Sequence, residues 1–96
     1  MKYTLILHEK AFREINDAYE YYETAQTSLG DKFKSDIEKC MSQIIQNPQQ
    51  YRKFKNEIRQ VVLRKFPFLI VDEVVKDIII VYSVFHTSRN PNRKLK

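Results

Sequence analysis

Residues 57–86 constrain the fold more than any other stretch of this chain. They hold three apolar runs of strand length, Glu57 to Lys65, Phe66 to Val75 and Ile78 to His86, rich in β-branched and aromatic side chains. Only Lys76-Asp77 separates the last two runs. That is the spacing of a tight hairpin, although neither residue is the glycine or asparagine such turns favour. Read at period two, Ile78, Ile80, Tyr82, Val84 and His86 share one face of the last strand, and Ile79, Val81, Ser83 and Phe85 share the other. Both faces are apolar. An antiparallel sheet normally turns one face to solvent, so the pattern predicts a cover beyond whatever packs on the first face. That cover is either a partner protein or the sheet curling on itself.

The rest of the chain supplies the first cover. Tyr3, Leu5 and Leu7 alternate with Thr4, Ile6 and His8, which predicts a short strand with two apolar faces, buried within the sheet. From Glu9 the period changes: Ala11, Ile15, Ala18, Tyr22 and Ala25 recur at helical spacing, with Phe12 and Tyr19 widening the stripe. Thr24 to Gly30 reads as a break, with Ser28 three positions before Asp31 as a capping box. Phe33, Ile37, Cys40, Met41, Ile44 and Ile45 then form the stripe of a second helix, which Asn47-Pro48 ends because proline cannot continue the helical hydrogen bonds. Two helices with a short connection predict an antiparallel helical hairpin laid on the sheet. Pro48 to Asn56 reads as an extended loop in which Arg52, Lys53 and Lys55 are interleaved with Tyr51 and Phe54. Such a loop either holds phosphates or is a solvated segment pinned by its rings. The expected class is therefore α+β, in the order β-α-α-β-β-β, over a single domain spanning residues 1–96.

Charge divides the chain. Residues 1–50 carry six Lys/Arg against eight Asp/Glu, a net of −2, whereas residues 51–96 carry eleven against four, a net of +7. The sheet half and tail thus favour a polyanionic partner, nucleic acid or acidic protein, unless the charge serves solubility alone. No apolar run approaches the roughly 18 residues of a membrane span, and Met1 to His8 is too short and strand-like for a signal peptide, so a cytoplasmic location and no membrane partner are expected. Cys40 is the only cysteine and sits on the apolar stripe, where it reads as a small hydrophobe. With two histidines, one cysteine and no carboxylates at ligand spacing, no metal site is indicated; with a single glycine, neither is a phosphate-binding glycine loop, and no cofactor is expected.

At this point the residues reach a recognisable pattern. The strand, helix, helix, three-strand order, the proline after the second helix, Leu63-Arg64, Phe66-Pro67-Phe68-Leu69-Ile70, and Val84-Phe85-His86-Thr87-Ser88-Arg89-Asn90-Pro91 together resemble the RelE/ParE family of type II toxin–antitoxin toxins. The Phe-Pro-aromatic entry to the middle strand and the His-x-x-Arg-Asn-Pro exit from the last look closer to the ParE branch. The resemblance implies a toxin neutralised by a cognate antitoxin whose C-terminal segment wraps it. Such a segment would cover the second apolar face, with Tyr19, Tyr22, Phe68, Ile70 and Tyr82 as candidate contacts.

The two branches imply different chemistry. RelE-type toxins cut messenger RNA on the ribosome with basic sheet residues, among them an arginine after a Gly-aromatic pair in the middle strand; here the matching pair is Pro67-Phe68 and the arginine position is Leu69. Gln60 and Val62 stand where the prototype places lysines, and no tyrosine follows Tyr82. Cleavage of that kind needs a group to take the 2′-hydroxyl proton, a cation for the phosphate and an acid for the leaving oxygen. His86 could be the acid or base, with Arg59, Arg64, Lys65 or Arg89 on the phosphate. ParE-type toxins are instead described as inhibitors that bind and trap DNA gyrase, with no side-chain reaction of their own. On that reading His86, Arg64, Lys65, Arg89 and Arg93 form a recognition surface, unless His86 only fixes the tail by hydrogen bonds. A relative that keeps antitoxin binding and has lost toxicity is a third expectation.

Overall fold

The computed structural model describes residues 2–88. The chain runs β1 (Thr4–Leu7), α1 (Glu9–Ala25), α2 (Leu29–Gln46), a 3-10 turn at Pro48–Gln50, β2 (Lys53–Lys55), β3 (Ile58–Val62), β4 (Phe68–Val75) and β5 (Ile78–His86). The strands form one sheet in the order β1-β5-β4-β3-β2. β2 through β5 are antiparallel, and β1 joins β5 in parallel, so the sheet is mixed. A parallel pairing needs a long crossover, and the whole helical hairpin lies between β1 and the rest of the sheet.

Both helices form where their apolar periods run, and their N-terminal ends are fixed by side chains. His8 caps α1, its Nδ1 accepting the Lys10 N–H at 3.1 Å. Ala11, Ile15 and Ala18 are the buried face of α1, while Phe12 is 54% exposed and does not widen it. The capping box expected at Ser28 does not form. Ser28 sits in the left-handed region (φ 73°) without a side-chain cap bond. Glu23 does its work from the preceding helix: its two carboxylate oxygens accept the N–H groups of Ser28 (2.9 Å) and Gly30 (3.0 Å). Gly30 is buried where the helices come closest, and a Cβ there would lie 2.8 Å from the Tyr19 ring and from its carbonyl oxygen.

Phe33, Ile37, Cys40 and Ile44 of α2 meet Val61, Phe68, Ile70, Ile79, Val81 and Val84 of the sheet in one core, beside Ala11, Ile15 and Ala18. Burial pushes the Cys40 thiol up to about 11, so it stays protonated and inert. Phe33, Tyr22, Phe66 and Phe68 stack edge-on and tilted at 4.9–6.2 Å at one end of that core.

Four features differ from the pattern reading. β1 is an edge strand, with Ile6 47% exposed, because it pairs with β5 alone. β5 does not keep period two: Val71 pairs with Ser83 but Asp72 with Val81, leaving Tyr82 as the extra residue of a bulge. Ile79 and Val81 before the bulge and Val84 after it therefore all reach the core, although strict alternation separates Val84 from the other two. β3 ends at Val62 and β4 starts only at Phe68. Between them Pro67 has no N–H to give, and the N–H groups of Lys65 (2.9 Å) and Phe66 (3.1 Å) donate to Asp36 Oδ2 on α2. Finally, the 48–56 segment is ordered as the 3-10 turn and β2, closed onto β3 through Asn56 at φ 53°. Asparagine tolerates that conformation, and Lys53 and Lys55 guard the outer edge. The β4–β5 hairpin keeps its two-residue turn, with Lys76 at φ 57°.

Gly30→Ala is expected to push α1 and α2 apart, because one of the clashing atoms is backbone, and to cost about 1–3 kcal/mol of stability. Urea unfolding of the two proteins measures this. An alanine variant as stable as the parent would show that the helices can separate freely.

Candidate functional site

The sheet places the candidate residues on three separate surfaces. The first is the end of the sheet where β5 runs out. Phe68 pairs with His86, and their rings meet edge to face at 5.2 Å. His86 Nδ1 accepts the Ser88 N–H at 3.1 Å, while the Thr87 N–H donates to the Pro67 carbonyl at 2.8 Å. The histidine thus fixes the exit of β5, as a strand-end residue can. It also lines a cavity of about 210 Å³ with Glu14, Asp17, Ala18, Phe68, Val84 and Phe85. Glu14 has a structural task there: its Oε1 accepts the Ser83 hydroxyl (2.8 Å) and the Val84 N–H (2.9 Å), on the stretch of β5 that β1 does not reach. Two carboxylates and, among the described residues, no cation line the cavity that holds His86.

Arg59, a candidate phosphate holder, lies elsewhere. It is 5% exposed, and its guanidinium donates to the Tyr51 carbonyl (Nε, 2.8 Å) and to Gln49 Oε1 (Nη2, 2.9 Å). The register puts it opposite Asp72, whereas His86 lies opposite Phe68, four residues along β4 and so roughly 13 Å away. The two cannot share one phosphate. Asp72 is 1% exposed, and neither of its carboxylate oxygens has a hydrogen-bond partner among the described residues. Burial pushes its carboxyl up to about 6, against the pull of the Arg59 charge.

The second surface is the sheet face turned away from the helices. Phe68 and Ile70, proposed above as partner contacts, are 3% and 0% exposed because the even positions of β4 face the hairpin; they are core. Tyr22 belongs to the aromatic end of that core, and Tyr19 packs on Gly30 under the Lys34 ammonium (4.8 Å). Of the five, Tyr82 lines a groove on the far side. This groove, of about 450 Å³, has Phe54, Ile58, Val71 and Tyr82 among its walls and His8, Lys10, Lys55, Asn56 and Ser83 around them. The Tyr82 hydroxyl donates to Glu73 at 2.7 Å, which raises its pKa. Val62, 61% exposed, and Phe54, 46% exposed, continue the apolar surface on the neighbouring strands. The sequence pattern missed Phe54 and Ile58 here, since their place depends on β2 folding back onto β3.

Arg64 and Lys65 form part of the third surface, on the turn between β3 and β4, beside the outer face of α2. Two clefts of about 430 and 380 Å³ lie there, sharing Asp36, Lys39 and Lys65. Lys39 and Lys32 of α2 join the two turn residues around them. The helical cations, seven residues and so about two turns apart, share one face of α2; the sequence reading missed them, because their meeting with Arg64-Lys65 is tertiary. Arg89 and Arg93 lie outside the described residues.

Residues 5–91 match the family described as the ParE toxin of the type II toxin–antitoxin system parDE. The chain belongs to the ParE toxin family. The ParE fold is shared with solved structures at low identity. The chromosomal ParDE system of Pseudomonas aeruginosa matches at 17% identity and a TM-score of 0.74, over 91% of this chain and 98% of that one. The RelBE2 toxin–antitoxin complex of Mycobacterium tuberculosis matches at 10% and 0.63, over 90% and 99%. The isolated RelE toxin of Escherichia coli matches at 18% and 0.61, over 93% and 88%. No curated protein matches the sequence. The family reading agrees with the motifs at Phe66-Pro67-Phe68 and His86 to Pro91. No described helix is long and apolar enough to cross a membrane.

The Asp72 carboxyl supplies a test of the buried charge beside Arg59. Its folded-state value lies above the ordinary 3.8, so its contribution to stability is fully present below about 4 and is lost as pH rises through about 6. Asp72→Asn is expected to remove that loss, raising stability at pH 7.5 by about 1–3 kcal/mol and flattening the profile between pH 4.5 and 7.5. Urea unfolding at the two pH values decides it, and an unaltered slope in the variant would assign the pH dependence to other groups.

Proposed function

We propose that this ParE-family toxin inhibits growth by binding and poisoning DNA gyrase, and that a cognate antitoxin neutralises it. The observation that carries the first part is the dispersal of the groups a nuclease would need. His86 lines a cavity with Glu14 and Asp17, which repel a phosphodiester, while Arg59 is buried and bonded to Gln49 and Tyr51. General acid–base cleavage depends on held proximity, and groups set apart in this way lose the orientation that makes it fast. A protein that works by binding needs no such constellation. On this reading Arg64 and Lys65, with Arg89 and Arg93 from the tail, belong to the target-recognition surface, and His86 holds the strand end from which that tail departs.

The antitoxin reading rests on the apolar far face. A groove walled by Phe54, Ile58, Val71 and Tyr82, continued by an exposed Val62, is a concave, mainly apolar surface of the kind a partner segment fills. The P. aeruginosa and M. tuberculosis matches are toxin–antitoxin systems, which supports an antitoxin segment as its cover. The second reading, a RelE-like ribosome-dependent messenger RNA endonuclease, draws on the fold shared with E. coli RelE. An inactive relative that binds only antitoxin is the remaining alternative.

Brief induction of the chain in bacteria without antitoxin separates these readings. The expected result is an early fall in DNA synthesis, intact ribosome-bound messages, and gyrase trapped on DNA in the purified system. Cut messages with DNA synthesis preserved would replace the gyrase reading by the RelE-like one. Soluble protein with neither effect would leave antitoxin binding alone.

A further inference from the structure

The cationic side chains of the trough beside α2 form no ion pair that holds the fold together among the described residues. Its two clefts share Asp36, Lys39 and Lys65 and so run together, with Lys32 at one end and Arg64 at the other. All four cations are exposed. Among the described residues, none of them lies within ion-pair distance of a carboxylate; the ion pairs there are Arg13–Glu9 and Lys53–Glu57. The trough's single carboxylate, Asp36, is 6% exposed and holds the Lys65 and Phe66 N–H groups, so it is a fixed part of the wall and not a counter-ion for the side chains.

The lining selects the kind of partner. A protein segment is held chiefly by apolar anchors in fitted pockets, and that kind of lining is found in the groove on the far sheet face. The trough also has apolar walls, Leu29, Tyr51, Val62 and Phe66 among them, and adds to them four exposed cations with polar neighbours, Ser35 and Gln43. These added groups are what phosphate oxygens require, since backbone contacts come from Lys, Arg and small polar side chains. Lys32 and Lys39 lie two turns apart, roughly 10 Å along α2 at 1.5 Å per residue. Measured along the duplex axis, at about 3.4 Å per base-pair step, three steps advance by the same length. Besides the buried Asp36, α2 carries the exposed acids Asp31 and Glu38, neither of which lines the two clefts; Glu9, Asp17 and Glu20 are on α1, and Glu14 is at the His86 cavity.

We propose that the trough between α2 and the β3–β4 turn binds the phosphate backbone of duplex DNA through Lys32, Lys39, Arg64 and Lys65. The choice of duplex DNA among polyanions rests on the gyrase reading. A toxin that holds a topoisomerase on its substrate gains when it touches the substrate as well as the enzyme. Lys32 and Lys39 thereby extend the recognition surface from the turn onto the helix.

The test is fluorescence anisotropy of a labelled duplex oligonucleotide titrated with the full chain across roughly 50–200 mM monovalent salt, the range in which phosphate contacts show their salt dependence. Binding is expected, with a log–log salt slope of about −3 to −4 for four phosphates. Lys32→Gln/Lys39→Gln/Arg64→Gln/Lys65→Gln is expected to lose at least about tenfold in affinity at the low-salt end and most of that slope. Lys39→Gln/Lys65→Gln, a milder change, loses about half of the slope. A control that removes three charges elsewhere, Lys2→Gln/Arg13→Gln/Lys76→Gln, retains most of it. Circular dichroism shows whether each variant is folded. The proposal is overturned if the folded parent does not bind the duplex, if the control loses as much as the trough variant, or if polyglutamate competes as well as DNA at equal charge. A gyrase-trapping assay on the same proteins separates the two readings. Trapping that survives in the trough variant, with no duplex binding by the parent, ends this proposal and leaves the gyrase reading standing. Trough-dependent duplex binding without gyrase trapping does the opposite.

Discussion

Backbone N–H groups left over where strands and helices stop are the constraint on which this structure turns. A buried amide without a partner costs nearly as much as a lost hydrogen bond, so each such end needs an acceptor. Three carboxylates of the helical hairpin meet the need. Glu23 takes the amides of Ser28 and Gly30 and so closes the hairpin on itself. Glu14 takes the Val84 amide and Ser83 hydroxyl where β1 has run out, which fastens α1 to the bulged half of β5. Asp36 takes the Lys65 and Phe66 amides, which fastens α2 to the turn between β3 and β4. Hydrogen bonds to ionised acceptors are the stronger kind, and these tie two helices and three strands into one arrangement over the core.

That use of carboxylates gives the charge division of the chain a physical meaning. Several acids of the first half are turned inward as acceptors, whereas the cations of the second half lie largely outside on the turn and strand edges. Arg59 is the exception, and it too is held by oxygen acceptors, from Gln49 and Tyr51. The formal total of +5 therefore understates the contrast that a partner meets. Approaching from α2, it meets Lys32, Lys39, Arg64 and Lys65; approaching from the far sheet face, it meets mainly apolar side chains.

The order of elements apart from β2, the helical stripes, the two-residue hairpin and the exact span of β5 were legible in the sequence, because each rests on local period and on proline chemistry. What was not legible depends on long-range docking. Nothing local marks Tyr82 as a bulge residue; the bulge is seen only when Val71 and Asp72 are set against Ser83 and Val81, and it carries Val84 onto the core side. Phe68 and Ile70 read as candidate partner contacts because an apolar strand with two apolar faces does not say which face the helices take. Ser28 reads as a capping residue from its spacing to Asp31, but Glu23, five residues back on another helix, supplies the acceptor. Lys32 and Lys39 were not singled out in the sequence, because their neighbourhood exists only where Asp36 draws the β3–β4 turn against α2.

The buried pair of positions at Arg59 and Asp72 shows how the far groove is shaped. They face each other across β3 and β4, the placement in which a cross-strand ion pair would form most readily. Arg59 instead holds Gln49 and the Tyr51 carbonyl, leaving Asp72 buried without a hydrogen bond among the described residues and with a raised pKa. Turning the guanidinium back to Asp72 would satisfy the carboxylate but release the segment that leads into β2. That strand carries Phe54 and Lys55, two walls of the apolar groove. Fixing those walls in advance spares a partner the cost of ordering them on binding, and the stability given up at Asp72 is the counterpart of that preorganisation. A local rule is broken in the core, and its benefit lies on the surface where a partner would dock.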